Sequence, residues 1–168
     1  MWVKMSDYLK IYEVGPRDGL QNETVPIDTN QKLKLIESLV SAGLRQIEVT
    51  SFVHPKAVPQ MADADDVMRM VMNGYDLLPV KFVGLVFNQR GYDRAIAADC
   101  RAMAFGISVS DTFSMRNTRM TTAEALRMSK KLVAQAKNLE DASTAVLKAE
   151  RGREHCAGCS SLLPSGLA

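Results

Sequence analysis

The chain has 168 residues, 46% of them hydrophobic and 24% charged, enough for one compact domain with a substantial core. Twenty-one lysines and arginines against nineteen acids give a net charge of +2, so there is no general electrostatic case for nucleic acid or an anionic membrane as partner. No apolar run reaches the roughly 18 residues of a membrane-spanning helix. The start, Met-Trp-Val-Lys-Met-Ser-Asp, lacks the basic-then-apolar layout of a secretory signal, so a cytoplasmic protein is expected. Three cysteines are too few, and odd in number, for a disulfide framework.

Taken in order, Leu9 to Val14 reads as a strand that stops at the breaker pair Gly15-Pro16. Leu33, Ile36 and Val40, with Leu35 and Leu39 beside them, form a helical stripe that Asp28 and Gln31 open and Gly43 closes. Gln46 to Thr50 is a second strand, with Ile47 and Val49 alternating with Glu48 and Thr50. The loop Phe52 to Gln60 carries Pro55 and Pro59 and is irregular. Asp65 to Asn73 is a short helix. Val80 to Phe87 is a third strand, broken only by Gly84. Gly91 to Ala98 reads as a helix and Ala102 to Val109 as a fourth strand. Thr121 with Glu124 is a capping box opening a helix to about Asn138.

Four strands, each followed by a helix, imply an α/β fold of parallel strands with right-handed crossovers. Asn138 to Glu154 is helix-compatible without clear periodicity, and Cys156 to Ala168 reads as an unstructured end, not a further strand. The expected division is a strand–helix domain over 1–138 and a divergent, poorly ordered or helical tail over 139–168.

The densest chemistry lies in Glu13-Val-Gly-Pro-Arg-Asp-Gly-Leu-Gln-Asn-Glu23, at the C-terminal end of the first strand, where parallel sheets and barrels build their sites. Arg17 and Asp18 set a fixed cation beside an oxygen ligand suited to Mg²⁺ or Mn²⁺. The arginine could hold an oxygen on which charge develops. An exposed turn with a local ion pair is the plainer alternative. Glu48 is the second signal: a charge inside a parallel strand is buried or lines a barrel mouth and needs a partner, and Arg17 is the obvious one. A buried ion pair without catalytic duty is its alternative. His54, in the loop after the second strand, reads as solvated. Asn88 after the third strand, and Ser110, Asp111, Arg116 and Asn117 after the fourth, are candidates by position alone. His155 with Cys156 and Cys159 lacks the second ligand pair a structural zinc needs. Cys100 reads as a small buried residue.

The Glu13–Glu23 segment, continued by Ile47-Glu-Val-Thr-Ser-Phe-Val-His-Pro-Lys-Ala-Val-Pro-Gln-Met-Ala-Asp63, Asn88 to Ala95 and Phe113-Ser-Met-Arg-Asn117, resembles the 3-hydroxy-3-methylglutaryl-CoA lyase family, within the metal-dependent lyase and aldolase superfamily of TIM barrels. The Arg-Asp pair alone would admit isopropylmalate and homocitrate synthases, ketoacid aldolases and carboxyltransferases. The Gly-Leu-Gln-Asn-Glu and Thr-Ser-Phe-Val-x-Pro-Lys runs are similar to the lyase branch. The resemblance covers roughly residues 8 to 138, about the first half of a family member, and so implies about the first four units of a (β/α)8 barrel.

It further implies a retro-Claisen cleavage of an acyl-CoA to acetyl-CoA and a ketoacid, acetoacetate for the named substrate. Asp18 matches the family's aspartate metal ligand, Arg17 the arginine that stabilises the enolate oxygen, and Glu48 a glutamate that supports the site. Gln21 and Ser51 lie in the motifs and are expected to touch substrate. The family's His-x-His metal ligands, its catalytic cysteine and its asparagine have no matching positions. One carboxylate does not hold a divalent ion tightly, so the isolated chain is expected to be inactive. A half-barrel also exposes two sheet edges, through which a copy of itself could pair. The alternatives are a related aldolase or Claisen synthase, or a non-catalytic remnant that self-associates.

Overall fold

The computed structural model describes residues 11–75 and 78–137, together with the strand at 144–150. The elements are a π-helical turn Gly15–Gly19, α1 (Thr29–Ser41), β1 (Gln46–Ser51), a 3-10 turn Pro59–Met61, α2 (Ala64–Tyr75), β2 (Lys81–Val86), α3 (Gln89–Ala97), β3 (Ala102–Ser108), α4 (Asp111–Thr118), α5 (Thr122–Lys137) and β4 (Thr144–Glu150).

The helix signals act as the sequence implies. Asp28 accepts a hydrogen bond from the Gln31 backbone N–H while the Gln31 side chain accepts one from Asp28 N–H, closing a reciprocal capping box. At the other end, Gly43 takes φ +93°, Leu44 N–H bonds Leu39 C=O and Gly43 N–H bonds Val40 C=O. That double bond is the Schellman stop, and its left-handed residue costs a side-chain-bearing amino acid about 1 kcal/mol or more.

β1 to β4 form one parallel sheet in sequential order. A doubly wound sheet reverses its order and carries helices on both faces; here the order never reverses. One face, through Ile47, Val49, Phe82, Val86, Met103 and Phe105, packs on Ile36 of α1, Val67, Met68 and Val71 of α2, and Leu132 and Ala136 of α5. The opposite face gathers Val83, Leu85, Ala102 and Ala104 with Tyr12 and Phe87. Sequential parallel strands with their helices on one side are the wall of a barrel, and the fold is a partial TIM barrel.

Several expectations need correction. The strand expected at Leu9 to Val14 has its first residues outside the described ones. Within them the only pairing is a bridge from Glu13 to Ile47, with Glu13 N–H on Gln46 C=O at 2.9 Å and Glu48 N–H on Glu13 C=O at 2.7 Å. The helix-compatible stretch 138–154 contains a strand, β4, paired with β3 from Ala102↔Thr144 to Ser108↔Glu150. Thr-Ala-Val-Leu-Lys-Ala-Glu is rich in good helix formers, and a complete parallel ladder overrides that local preference. The expected unstructured end, Cys156 to Ala168, lies outside the described residues. α4 was not expected at all: its only buried side chain is Ser114, so it carries no apolar stripe to read.

The strict alternation expected in β1 also fails. Glu48 pairs with Val83, but Thr50 pairs with Gly84, so the strand holds a bulge at Val49. A Cβ on Gly84 would meet the Phe52 ring at 2.6 Å and Cys100 Sγ at 3.0 Å, both in the helix-side core. Thr50 therefore shares the helix side, while Ser51, paired with Leu85, shares the opposite face with Glu48. The same contact explains why Gly84 interrupts an apolar strand: the Phe52 ring occupies the space of its side chain.

Candidate active site

The chain leaves the Glu13 bridge and winds at once into the π-helical turn Gly15–Gly19, opened by Pro16. Glu13 Oε1 accepts from Gly15 N–H at 2.5 Å, folding its carboxylate over the turn. Arg17 and Asp18 N–H groups both bond Val14 C=O. These bonds aim Arg17 at β1. Its Nε donates to Glu48 Oε1 at 2.5 Å and its Nη1 to Asp18 Oδ1 at 2.7 Å. The Glu48 side chain is fully buried, that of Arg17 is 7% exposed and that of Asp18 is 50% exposed. Arg17, the partner expected for Glu48, is thus bonded to it.

Tyr12 was not foreseen. Its hydroxyl donates to Glu48 Oε2 at 2.5 Å, and its ring packs against the cluster of Val83, Leu85, Ala102 and Ala104. Burial, and then the hydrogen bond to Glu48, push the phenol well above its ordinary value of 10. The available signal was stoichiometric: a buried carboxylate has two oxygens to satisfy, and a strand tyrosine beside it carries an O–H that needs a partner. Among the described residues nothing pairs with Arg17 Nη2, so a nearly buried guanidinium retains donors for a further oxygen.

Of the other candidates, Ser51 is buried one strand-turn beyond Glu48, its Oγ 3.4 Å from Leu85 C=O. Gln21 is half-buried just past the turn. Asn88 and Ser110 cap α3 and α4 through Gly91 N–H and Phe113 N–H. Asp111 accepts from Thr122 N–H at 2.7 Å, which holds its carboxyl below the usual range. Cys100 is buried and donates to Ala102 C=O; burial pushes its thiol up to about 12, so it is inert at neutral pH. His155, Cys156 and Cys159 lie outside the described residues.

At the C-terminal end of the strands opens a cleft of about 750 Å³. His54 and Lys56 line it from the loop after β1, Phe87 and Asn88 after β2, and Arg116, Asn117 and Arg119 from the end of α4. Lys56, Arg116 and Arg119 are its charged lining and no acid is among the lining residues, so the cleft presents positive charge. The loop that forms its wall is tied down on both sides. Lys32 Nζ bonds Gln60 C=O at 2.5 Å and Asp63 Oδ1 at 2.6 Å, and Gln60 Nε2 bonds the carbonyls of Glu23 and Val25. Arg94 clasps Asp65 with two nitrogens, bonds Val53 C=O and lies over the Phe52 ring.

The donor set also bears on a metal. Asp18 is half-exposed with one oxygen committed to Arg17, and no group of three His, Cys, Asp or Glu side chains converges anywhere among the described residues. A hard divalent ion takes about six oxygens. The described residues therefore offer it one ligand and do not by themselves make its site. No described helix is long and apolar enough to cross a membrane.

The fold is part of a TIM-barrel wall, and its arginine–carboxylate cluster and cation-lined cleft lie at the C-terminal strand ends, where such barrels build their sites. The model of the HMGL-like family matches residues 8–157, and the chain belongs to that family. It is 48% identical over 121 residues to the mitochondrial hydroxymethylglutaryl-CoA lyase of Arabidopsis thaliana, covering 71% of this chain and 25% of that protein. It is 42% identical over 123 residues to the (R)-citramalyl-CoA lyase of Chloroflexus aurantiacus, covering 69% and 39%. Among solved structures, an HMG-CoA lyase from Acinetobacter baumannii, in complex with coenzyme A and 3-methylmalate, superposes with a TM-score of 0.74 at 32% identity, covering 82% of this chain and 43% of that one. The chain thus spans less than half of the length of these relatives.

Proposed function

We propose that this chain carries the Arg17–Asp18–Glu48 half of a carbon–carbon lyase site, acting on a 3-hydroxyacyl-CoA of the hydroxymethylglutaryl type. In that reaction the bond between C2 and C3 of the acyl group breaks. Its electron pair passes into the thioester as the enolate of acetyl-CoA, the C3 hydroxyl gives up its proton to become the ketone of acetoacetate, and C2 then takes a proton. The observation that carries the proposal is the uncommitted Arg17 Nη2 on a guanidinium locked from two sides. A fixed donor aimed at an oxygen that gains charge is worth most where water is scarce. Glu48 holds Arg17, Ser51 and Gln21 bound the substrate, and the cationic cleft receives the anionic end of coenzyme A.

A divalent cation, Mg²⁺ or Mn²⁺, is part of this reading with Asp18 as one ligand and the rest supplied from outside the described residues. When bound it would add charge stabilisation beside Arg17. For the chain alone we expect acyl-CoA binding without turnover. The same proposal includes a cytoplasmic setting and self-association through sheet edges. The test is acetyl-CoA binding by calorimetry, on the wild type and on Arg17→Lys, which keeps the charge and loses the fork. Binding weakened about tenfold in the variant, with no acetoacetate released from hydroxymethylglutaryl-CoA, is expected. Equal affinity in both proteins would remove Arg17 from the site, and no binding by the wild type would remove the acyl-CoA reading.

A further inference from the structure

We infer that Arg119 is a specificity-determining residue of the cleft: its guanidinium receives a phosphate at the nucleotide end of an acyl-CoA. The identity of that ligand rests on the lyase reading; the assignment of an anion to Arg119 does not. The first observation is the backbone. Arg119 ends α4 at φ 57° and ψ 29°, in the left-handed region that glycine and asparagine occupy most readily. The link demands that turn, because only Arg119, Met120 and Thr121 separate α4 from α5. Both of its ends are fixed. Arg119 N–H bonds Met115 C=O at 3.1 Å, Glu124 accepts from Thr121 N–H at 2.8 Å, and Asp111 accepts from Thr122 N–H at 2.7 Å. The backbone thus gives no reason for an arginine here, and strained residues of this kind cluster where ligands are held.

The second observation is where the side chain stands. Arg119 lines the cleft with Arg116 from the same end of α4 and Lys56 from the loop after β1. All three are exposed and within reach of a ligand. Among the described residues none of the three side chains has an ion-pair partner. Cations that nothing neutralises repel one another, and an anion placed among them relieves that repulsion. An arginine can meet a phosphate through two parallel bonds, a geometry closed to lysine. The alternative is that Arg119 serves only the C-terminal dipole of α4, which favours a cation. The two readings differ in sign for one variant.

That variant is Arg119→Gly, which suits the left-handed backbone and removes only the side chain. Titration calorimetry of the full chain at about 0.15 M salt, which screens distant charges, uses coenzyme A and inorganic pyrophosphate as ligands. Affinity for both falls about tenfold in Arg119→Gly, the loss of one charge-assisted contact, while the melting temperature holds or rises by about 2–4 °C. A dipole role alone lowers the melting temperature and leaves affinity unchanged. Arg127→Ala removes the same charge from a neighbouring, shallower hollow that Arg119 also borders, and leaves both affinities as they are. Dephospho-coenzyme A separates the two phosphate sources: a loss that persists with it assigns the diphosphate, and a loss confined to coenzyme A assigns the 3′-phosphate. Unaltered affinity in Arg119→Gly would overturn the inference. So would an equal loss in Arg127→Ala, which would mean bulk charge, or wild-type protein that binds neither ligand. Wild-type protein that binds pyrophosphate but not coenzyme A would remove the acyl-CoA reading and leave Arg119 its anion.

Discussion

Breaking the Arg17–Glu48 pair should reveal it as a coupled unit and not as two separate contacts. Glu48 is fully buried and the Arg17 side chain nearly so, with nitrogen and oxygen 2.5 Å apart. Arg17→Met removes the cation paired with buried Glu48, a change that costs about 3–5 kcal/mol when a buried charge loses its counter-ion. Glu48→Gln leaves Arg17 with only the half-exposed Asp18, for a cost of about 3 kcal/mol. In the double variant neither charge remains to be stranded, so its cost should be close to that of the worse single change. The resulting coupling is about 3 kcal/mol. Urea unfolding measures it: at a slope of about 2 kcal/mol per M, each single variant loses about 1.5 M or more in midpoint, and the double variant loses little beyond that. Costs that add to within about 0.5 kcal/mol would refute the argument, because independent losses mean that neither group depends on the other.

Two further outcomes follow from the same geometry. Mn²⁺ titrated calorimetrically into the chain should bind weakly, through one carboxylate, and Asp18→Ala should abolish that heat; an unchanged isotherm would take Asp18 out of the metal's coordination. Cys100 gives an alkaline dependence. Its thiol is raised from 9 to about 12 in the folded protein, so the folded state keeps a proton that the unfolded chain releases. Its contribution is fully present below pH 9 and is lost as pH rises toward 12, at about 1.4 kcal/mol per pH unit. Between pH 9 and 10 the melting temperature should therefore fall less steeply in Cys100→Ala than in the wild type, and equal slopes would contradict the burial of the thiol.

What could be read from the sequence was what local chemistry decides. Asp28, Gln31 and Gly43 delimit α1 because capping and a left-handed stop involve only a few neighbouring residues. The β2 run is apolar because both its faces are covered. Glu48 announced itself as a charge where the strand should be buried, and Arg17 as the cation able to meet it. The features that escaped depend on distant partners. β4 is a strand only because β3 offers it a ladder, and α4 lies on the surface with no stripe to betray it. The bulge at Val49 moved Ser51 to the Glu48 face, which no count of alternating residues could show. Tyr12 finds Glu48 across 36 positions of chain. The resemblance in the motifs named the family correctly, while the cleft needed three strand ends brought together.

The clamped loop between β1 and α2 has a thermodynamic consequence. A binding wall built from a slack segment must be ordered each time a ligand arrives, and that ordering is subtracted from affinity, at about 0.5–1.5 kcal/mol for each side chain stilled. Here Lys32 and Gln60 fasten one end and Arg94 the other before any ligand is present. The ordering of the backbone that carries His54 and Lys56 is thus settled largely during folding. Whatever anion the cleft accepts meets a surface already set in place, and its affinity is free to reflect the contacts themselves.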